Sequence, residues 1–462
     1  MRCLALNTLW FLETTPLVDV ELWQWGLVIL SSMVLFWLAP LAKNTNQFFM
    51  AVRRNKTPNS FMLMGSLVIS WIFAKSITNA ANLGLAFGIV GGVAYAAYYA
   101  SFAVAGIVLY KMRTKGHYTS IHQFLTSKFG KGAVAIFSIL IVIRLFNEVW
   151  SNTMVIGSYF GGIGTSAYYW SIIVFTLLTL SYVIKGGMSS SIFTDVIQMG
   201  LFAILLVIIL GAIFNSDPTF TGVQVISAGT WSFETGLNLL FAALIQSFSY
   251  PFHDPVLTDR GFISNPKITL KSFLWASIVG AICIILFSII GVYAQSNALQ
   301  GQAAVEVGKT FGIGILLVIN FIMITSASST LDSTFSSFAK LLAVDLNLGK
   351  SLKFGRISMI VIAILGIIPV FMDAEILSAT TISGTMVIGL TPVFIFWHKK
   401  ATALSFYLSV GTGIFFGFLL VCNLFPPELI LTSGKYADLL WINIWGVLCC
   451  LILYFIPIWI KK

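Results

Sequence analysis

From Leu22 to Trp459 the chain is a succession of uninterrupted apolar runs, most of them about the 20 residues an α-helix needs to cross the hydrocarbon core of a bilayer. With 58% of its 462 residues hydrophobic and only 9% charged, the sequence holds enough apolar residues for about 13 such helices. Too little polar chain is left for a separate soluble domain, which excludes a soluble enzyme, a nucleic-acid binder and a disulfide-stapled secreted module. The runs are continuous rather than alternating ten-residue strands, so an outer-membrane barrel is excluded as well. The expected fold class is all-α, a polytopic membrane protein.

Helices are expected near 22–40, 61–90, 92–111, 132–160, 166–184, 192–214, 232–262, 270–294, 307–343, 355–372, 376–397, 402–423 and 437–459. The net charge of +10 is scattered over short loops, and alternate loops are strongly unequal: one side collects most lysines and arginines, the other only Arg2, Lys309 and Lys435. By the positive-inside rule the N-terminus is external, the C-terminus cytoplasmic and the location a cytoplasmic membrane. The first run follows Glu13, Asp19 and Glu21 rather than a basic start, unlike a cleaved signal peptide. The five cysteines lack metal-ligand spacing and read as packing residues.

Two runs are interrupted. The run 61–90 carries Lys75, Asn79, Asn82, Gly84 and Gly88, and the run 231–262 contains Ser-Tyr-Pro-Phe-His-Asp-Pro at 249–255. Prolines and ionisable groups inside hydrocarbon break the backbone ladder and need protein or water partners. Broken helices opening each half of a five-plus-five inverted repeat are the pattern of a secondary transporter with a midplane binding site. The corresponding units are 1–60 (an extra helix and lead-in), 61–230 and 231–400 (the two repeats) and 401–462 (two further helices).

The segment Ile324 to Ser333 places hydroxyls at 326, 329, 330 and 333, on one helix face, with Asp332 beside them. Such oxygens suit a dehydrated sodium ion, although serines and threonines also serve close helix packing. An intramembrane carboxylate favours function.

Ser329-Thr330-Leu331-Asp332-Ser333, continuing to Asp345, resembles the signature helix of the sodium/solute symporter family. Gly186-Gly187 with Thr194-Asp195 and Gln198 is similar to the stretch entering that family's fifth core helix. Pro255 to Arg260 resembles its Pro-His-x-x-Gln-Arg motif, with Val256 and Asp259 replacing histidine and glutamine. Phe48-Phe49 and Arg53 resemble its amphipathic lead-in, and the likeness runs over roughly 45–400.

The resemblance implies a LeuT-type fold and a sodium site. Its ligands would be carbonyls of Ala74 and Ile77, with the helix unwound at Ile77, and oxygens of Ser326, Ser329 and Thr330. It also implies a possible second cation at Asp195, Asp332 and Ser333, since two converging carboxylates repel unless a cation or a proton intervenes. The alternative is an Asp195 that caps its helix. Lys75 either fills a cation site or, the favoured reading, pairs with an acidic residue. Arg144 and Glu148 read first as an intrahelical pair, with Arg144 gripping a substrate carboxylate as the alternative. The candidate substrate contacts are Asn79, Arg144, Trp150, Tyr250, Phe252, His253 and Asp254. Ala80, Ala81 and Ala100 replace polar or aromatic substrate anchors of sugar- and proline-carrying members, which favours an amino acid or another small charged metabolite over a sugar.

The expected activity is sodium-coupled import of a small organic solute by alternating access, with no covalent chemistry. Sodium, the solute and the lipid bilayer are the partners, nucleic acid is not, and the protein is a monomer or weak oligomer. The alternatives are a proton-coupled carrier using Lys75, Asp195 or Asp332, and a membrane sensor that has lost transport.

Overall fold

The structure, a computed structural model, describes residues 17–53, 55–372 and 384–460, whose regular structure is helical apart from an isolated bridge between Arg53 and Lys56. Among the described residues ten helices are long and apolar enough to cross a membrane, and one further pair forms a bent span. Of the helix expected over 376–397, residues 376–383 lie outside the described residues. Leu390–Ile395 is helical.

After an outlying helix α1 (Leu17–Leu38) and a short lead-in α2 (Thr45–Met50), the first interrupted span is α3 (Ser60–Trp71) followed by α4 (Ala74–Phe87), bent by 65°. The break falls at Ile72–Phe73, not at Ile77: the Ile77 amide donates to the Phe73 carbonyl at 3.1 Å and belongs to the first turn of α4. Trp71-Ile72-Phe73 contains neither proline nor glycine. Aromatic and β-branched side chains lose rotamer freedom in a helix, and here tertiary donors complete the interruption. The Tyr99 hydroxyl donates to the Trp71 carbonyl at 3.0 Å, and the Ser326 hydroxyl donates to the Ile72 carbonyl.

Gly84 marks a contact rather than a break. A Cβ there would strike the Ser288 carbonyl, and one on Gly291 would strike the Ala81 carbonyl and lie 2.6 Å from the Leu85 amide nitrogen. Thus α4 and α14 (Pro266–Ser296) meet backbone to backbone, the small-residue packing that holds helices together when lipid tails offer no hydrophobic contrast. At the far end of α4, Gly88 turns the chain into α5 (Ile89–Ala96) with φ of 64°, a conformation that glycine adopts freely.

The chain continues through α6 (Ala100–Thr114), a short α7 (Ile121–Phe129) capped by Ser120, and the long spans α8 (Lys131–Phe160), α9 (Ser166–Gly186) and α10 (Met188–Ser216), then a short α11 (Gly222–Ser227). The second interrupted span lies where its two prolines predict. A π-helical turn, Phe233–Leu237, leads into α12 (Asn238–Gln246). A 3-10 turn, Tyr250–Phe252, then hands over to α13 (Pro255–Ile263), with Pro255 at its start and the Asp254 side chain capping the Val256 and Leu257 amides. After α14 come α15 (Ala303–Thr310), α16 (Ile313–Lys340) and α17 (Leu352–Ile367), then α18 (Leu390–Ile395), α19 (Ala403–Val421) and α20 (Ala437–Ile460).

Helix α16 runs through the middle, packed on α3, α4, α8, α9, α10 and α17. Its hydroxyls from Thr325 to Ser337 are buried, whereas Trp37, Val207, Ile278 and Phe418 on outer helices are exposed to what would be lipid.

Prediction: Gly291→Val overpacks the α4–α14 crossing and costs about 1–3 kcal/mol, read as a lower melting temperature of the detergent-solubilised protein. Gly200→Val, with nothing within 4 Å of its Cβ, is the control and leaves the melting temperature unchanged.

Candidate functional site

The two breaks face each other. Trp71, the last residue of α3, donates its indole N–H to Asp254 Oδ2 at 2.9 Å, and its ring stands edge-on to Tyr250 at 5.6 Å. Asp254 spends Oδ1 on capping α13, at 2.9 and 3.3 Å, and Oδ2 on Trp71 and on Arg144 Nη2 at 3.1 Å. Arg144 also bonds Glu148, four residues along α8, and Glu148 accepts from Lys75 Nζ at 3.2 Å and from Asn152 at 3.1 Å. Lys75 bonds Ser151 at 3.1 Å as well.

The result is an alternating chain Lys75, Glu148, Arg144, Asp254, with every member under 8% exposed. Charges this deep are tolerable only when paired and hydrogen-bonded. Lys75 therefore pairs with an acidic residue, as favoured, and that residue is the one expected for Arg144. Arg144 bridges two carboxylates instead of one.

Above this chain lies a cavity of about 490 Å³ that begins at Trp71, Phe73 and Lys75 and reaches the surface beside Lys435, Tyr436 and Asp438. Of the expected substrate contacts, Asn79 and Tyr250 line it. Arg144 and Asp254 form the buried layer behind its wall. Phe252 is stacked on Phe394 at 4.3 Å, and His253 is buried with Nδ1 against the Tyr250 carbonyl at 2.6 Å. Trp150 packs with Tyr168, Ile172 and Val370, with its N–H on Met154 Sδ at 2.8 Å, away from the cavity lining.

The lining also includes residues not anticipated: Tyr95, which donates to Ser76 at 3.1 Å, Tyr98, which donates to Gln246 at 3.0 Å, and the Lys435 rim. The rim is held by Asn238, whose amide donates to the Ser433 and Lys435 carbonyls at 2.8 and 3.2 Å. The one available signal was that Lys435 is among the few basic residues on its side of the membrane.

A second polar cluster lies where α3, α10, α13 and α16 meet. Asp195, fully buried inside α10 and capping no helix end, accepts from Ser66 and Ser329, both at 2.5 Å, and pairs with Arg260 Nη2 at 3.0 Å. Arg260, also fully buried, donates from Nε to Ser66 at 2.6 Å, from Nη1 to the Val256 carbonyl at 3.1 Å and from Nη2 to Ser333 at 2.8 Å. Asp332 accepts from the hydroxyls of Tyr182, Ser191 and Thr194 at 2.8, 2.8 and 3.0 Å. The carboxylates of Asp195 and Asp332 are thus brought together through Ser191 and Ser333, and Arg260 supplies a positive charge on the Asp195 side.

On the same helix Ser326 reaches the Ile72 carbonyl at the α3/α4 break, and Thr330 donates back to the Ser326 carbonyl at 3.0 Å. Ala74 and Ile77 are fully buried in the first turn of α4, and the Ala74 carbonyl accepts from Thr78 at 3.2 Å.

At the opposite end from Lys435, Lys340 pairs with Asp259 at 2.6 Å and Asp345 at 3.2 Å, and His122 lies 3.9 Å from Asp345. Asp259 thus shares its lysine with Asp345.

No family model matches the sequence, and no curated protein matches it. Solved structures do resemble the fold. A Na+-coupled sialic acid symporter, in a substrate-bound outward-open state, superposes with a TM-score of 0.68 at 17% identity, over 95% of this chain and 98% of its own. Mhp1, a nucleobase-cation-symport-1 family transporter in a closed conformation with bromovinylhydantoin bound, gives 0.55 at 12% identity over 90% and 96%. MhsT in complex with L-phenylalanine gives 0.54 at 14% identity over 86% and 97%. The fold is of the LeuT type, shared with these structures.

Prediction: Asp195→Asn or Arg260→Met alone leaves a buried charge unpaired and costs about 3–5 kcal/mol, whereas the double substitution costs less than the sum. Melting temperatures of the four proteins in detergent check the sign of the coupling.

Proposed function

We propose that the protein is a sodium-coupled symporter that imports a small organic solute by alternating access. The observation that carries this reading is the contact of Ser326 with the Ile72 carbonyl: the hydroxyl face of α16 docks on the backbone that the first break exposes. An interrupted helix offers oxygen atoms with no amide partner, and a hydroxyl-bearing neighbour completes an oxygen cage suited to a dehydrated alkali cation.

In this reading the cation lies between the break and α16, held by oxygens that the break frees beside Ala74 and Ile77 of the first α4 turn and by Ser326, Ser329 and Thr330. Ser329 donates its hydroxyl proton to Asp195, which leaves its lone pairs for the ion. Sodium then ties α3 and α4 to α16 and favours the state in which the cavity is open at the Lys435 end. Solute binds between the two breaks, and loss of sodium on the other side releases α3 for the inward-open state. The two interrupted helices head the repeats 61–230 and 231–400.

Asp195 has an ion-pair partner in Arg260, whereas among the described residues Asp332 has none and faces only hydroxyls. That difference supports a second reading, in which Asp332 carries a proton and the protein couples to protons.

Prediction: in proteoliposomes, uptake of the transported solute, found by screening metabolites that include sialic acid and amino acids, follows an inward sodium gradient at fixed pH and vanishes when potassium replaces sodium. Ser329→Ala with Thr330→Ala raises the half-saturating sodium concentration about tenfold or more, since contacts of an oxygen with a full charge are worth about 1.5–3 kcal/mol each. Uptake driven by a pH gradient alone, with unaltered sodium dependence in the double variant, selects the proton reading.

A further inference from the structure

The cavity between the breaks is asymmetric in charge. Among the described residues that line it, the basic and acidic side chains are Lys75 at its floor and Lys435 and Asp438 at its rim, the latter two exposed and of opposite sign. The carboxylates behind the floor are already committed. Asp254 has both oxygens engaged by α13, Trp71 and Arg144, and Glu148 is shared by Arg144, Lys75 and Asn152.

Lys75 is less completely used. An ammonium group has three N–H donors, and Glu148 and Ser151 take two of them. The floor therefore offers a free cationic donor and no free carboxylate.

The aromatic walls point the same way. Lys75 Nζ lies 5.1 Å from the Phe73 ring centre, and the Arg144 guanidinium carbon 5.0 Å from that of Tyr250. Two of the rings available to cage a ligand cation already serve cations of the chain, and a second ammonium would meet Lys75 as a like charge. Trp71 and Tyr98 leave apolar surface for the body of a ligand.

We propose that this cavity binds a small organic carboxylate without an ammonium group, its carboxylate on Lys75 and its apolar body against Trp71, Tyr98 and Tyr250. This deepens the symporter reading and rests on it for one consequence. Lys75 and Arg144 balance Glu148 and Asp254, so the empty site is neutral. Sodium beside Ala74 adds one positive charge next to Lys75, and the carboxylate adds one negative. Each is disfavoured alone in a low-dielectric interior and favoured by the other, a coupling that acts equally in both directions. Lys75 is then the residue through which ion and solute sense each other.

The test uses the purified full-length protein in detergent. Thermal stabilisation is measured with phenylacetate, 4-hydroxyphenylacetate, benzoate and pyruvate, each against its primary amide, and with L-phenylalanine, in sodium or potassium chloride. The expected result is stabilisation by one or more of the acids, in sodium, with the amides and L-phenylalanine at least about tenfold weaker. Lys75→Met leaves the network with one excess negative charge, so its sodium affinity rises while acid binding falls about tenfold or more. A residue with only a packing role would lower both. Lys75→Arg keeps the acid preference, and the acid and amide comparison on the unaltered protein stands even where a variant fails to fold.

Amides or L-phenylalanine acting as well as the acids, only in sodium, overturn the carboxylate assignment and leave the sodium reading intact. Acids acting alike in sodium and potassium uphold the Lys75 assignment and overturn sodium coupling. No stabilisation by any of the acids, or a Lys75→Met protein with weakened sodium binding, overturns the proposal.

Discussion

A carbonyl oxygen released inside hydrocarbon has to find a donor or a cation, because water is not there to take it. The architecture can be followed from that requirement. The break at Ile72–Phe73 exposes carbonyls. Tyr99 comes from the segment that enters α6 to meet one, and Ser326 comes from α16 to meet the next. The second break solves the same problem differently, with Asp254 turned inward to cap α13. That carboxylate then needs a cation, which Arg144 provides from α8, and Arg144 in turn needs Glu148. One interrupted ladder thus recruits ionised residues from α8 and the α12–α13 break, and the partners converge on the space between the breaks.

Two buried networks result, and they differ in kind. The chain from Lys75 to Asp254 alternates in sign and sums to zero, with its open end at the cavity. The cluster around Asp195 is knotted by hydroxyls, with Arg260 reaching serines of α3 and α16 as well as Asp195. Ser329 belongs to this second network yet stands one turn from Ser326, which touches the break. The helix that would sense an ion is therefore also the helix that holds the Asp195 cluster together, so a change at one is felt at the other without a long path.

Much of the fold was legible because a bilayer imposes length and polarity on every segment. The break at Ser249–Pro255 was readable from two prolines. The break at Ile72 was not, since nothing in Trp71-Ile72-Phe73 forbids a helix as proline would. Its position is set by Tyr99 and Ser326, which arrive from elsewhere, while Gly84 in the same run serves the contact with α14. Lys75 could be expected to need an acidic partner, but Glu148 was already accounted for by its neighbour Arg144, and sequence spacing cannot show one carboxylate shared by two cations. The link between Asp195 and Arg260 and the Lys435 rim depend on residues far apart in the chain, so no local pattern announces them.

The backbone contact at Gly84 and Gly291 has a mechanical corollary. Where no side chain separates them, at Gly84 and Gly291, α4 and α14 have nothing to roll on, so they act as one plank. Helix α3 meets α14 and α10 through buried side chains instead, and its polar ties include hydroxyl latches at Ser66 and Ser70 and the Trp71 indole. Any pivoting at Ile72 is then borne by the short arm, which can unclasp one latch at a time while the plank stays still.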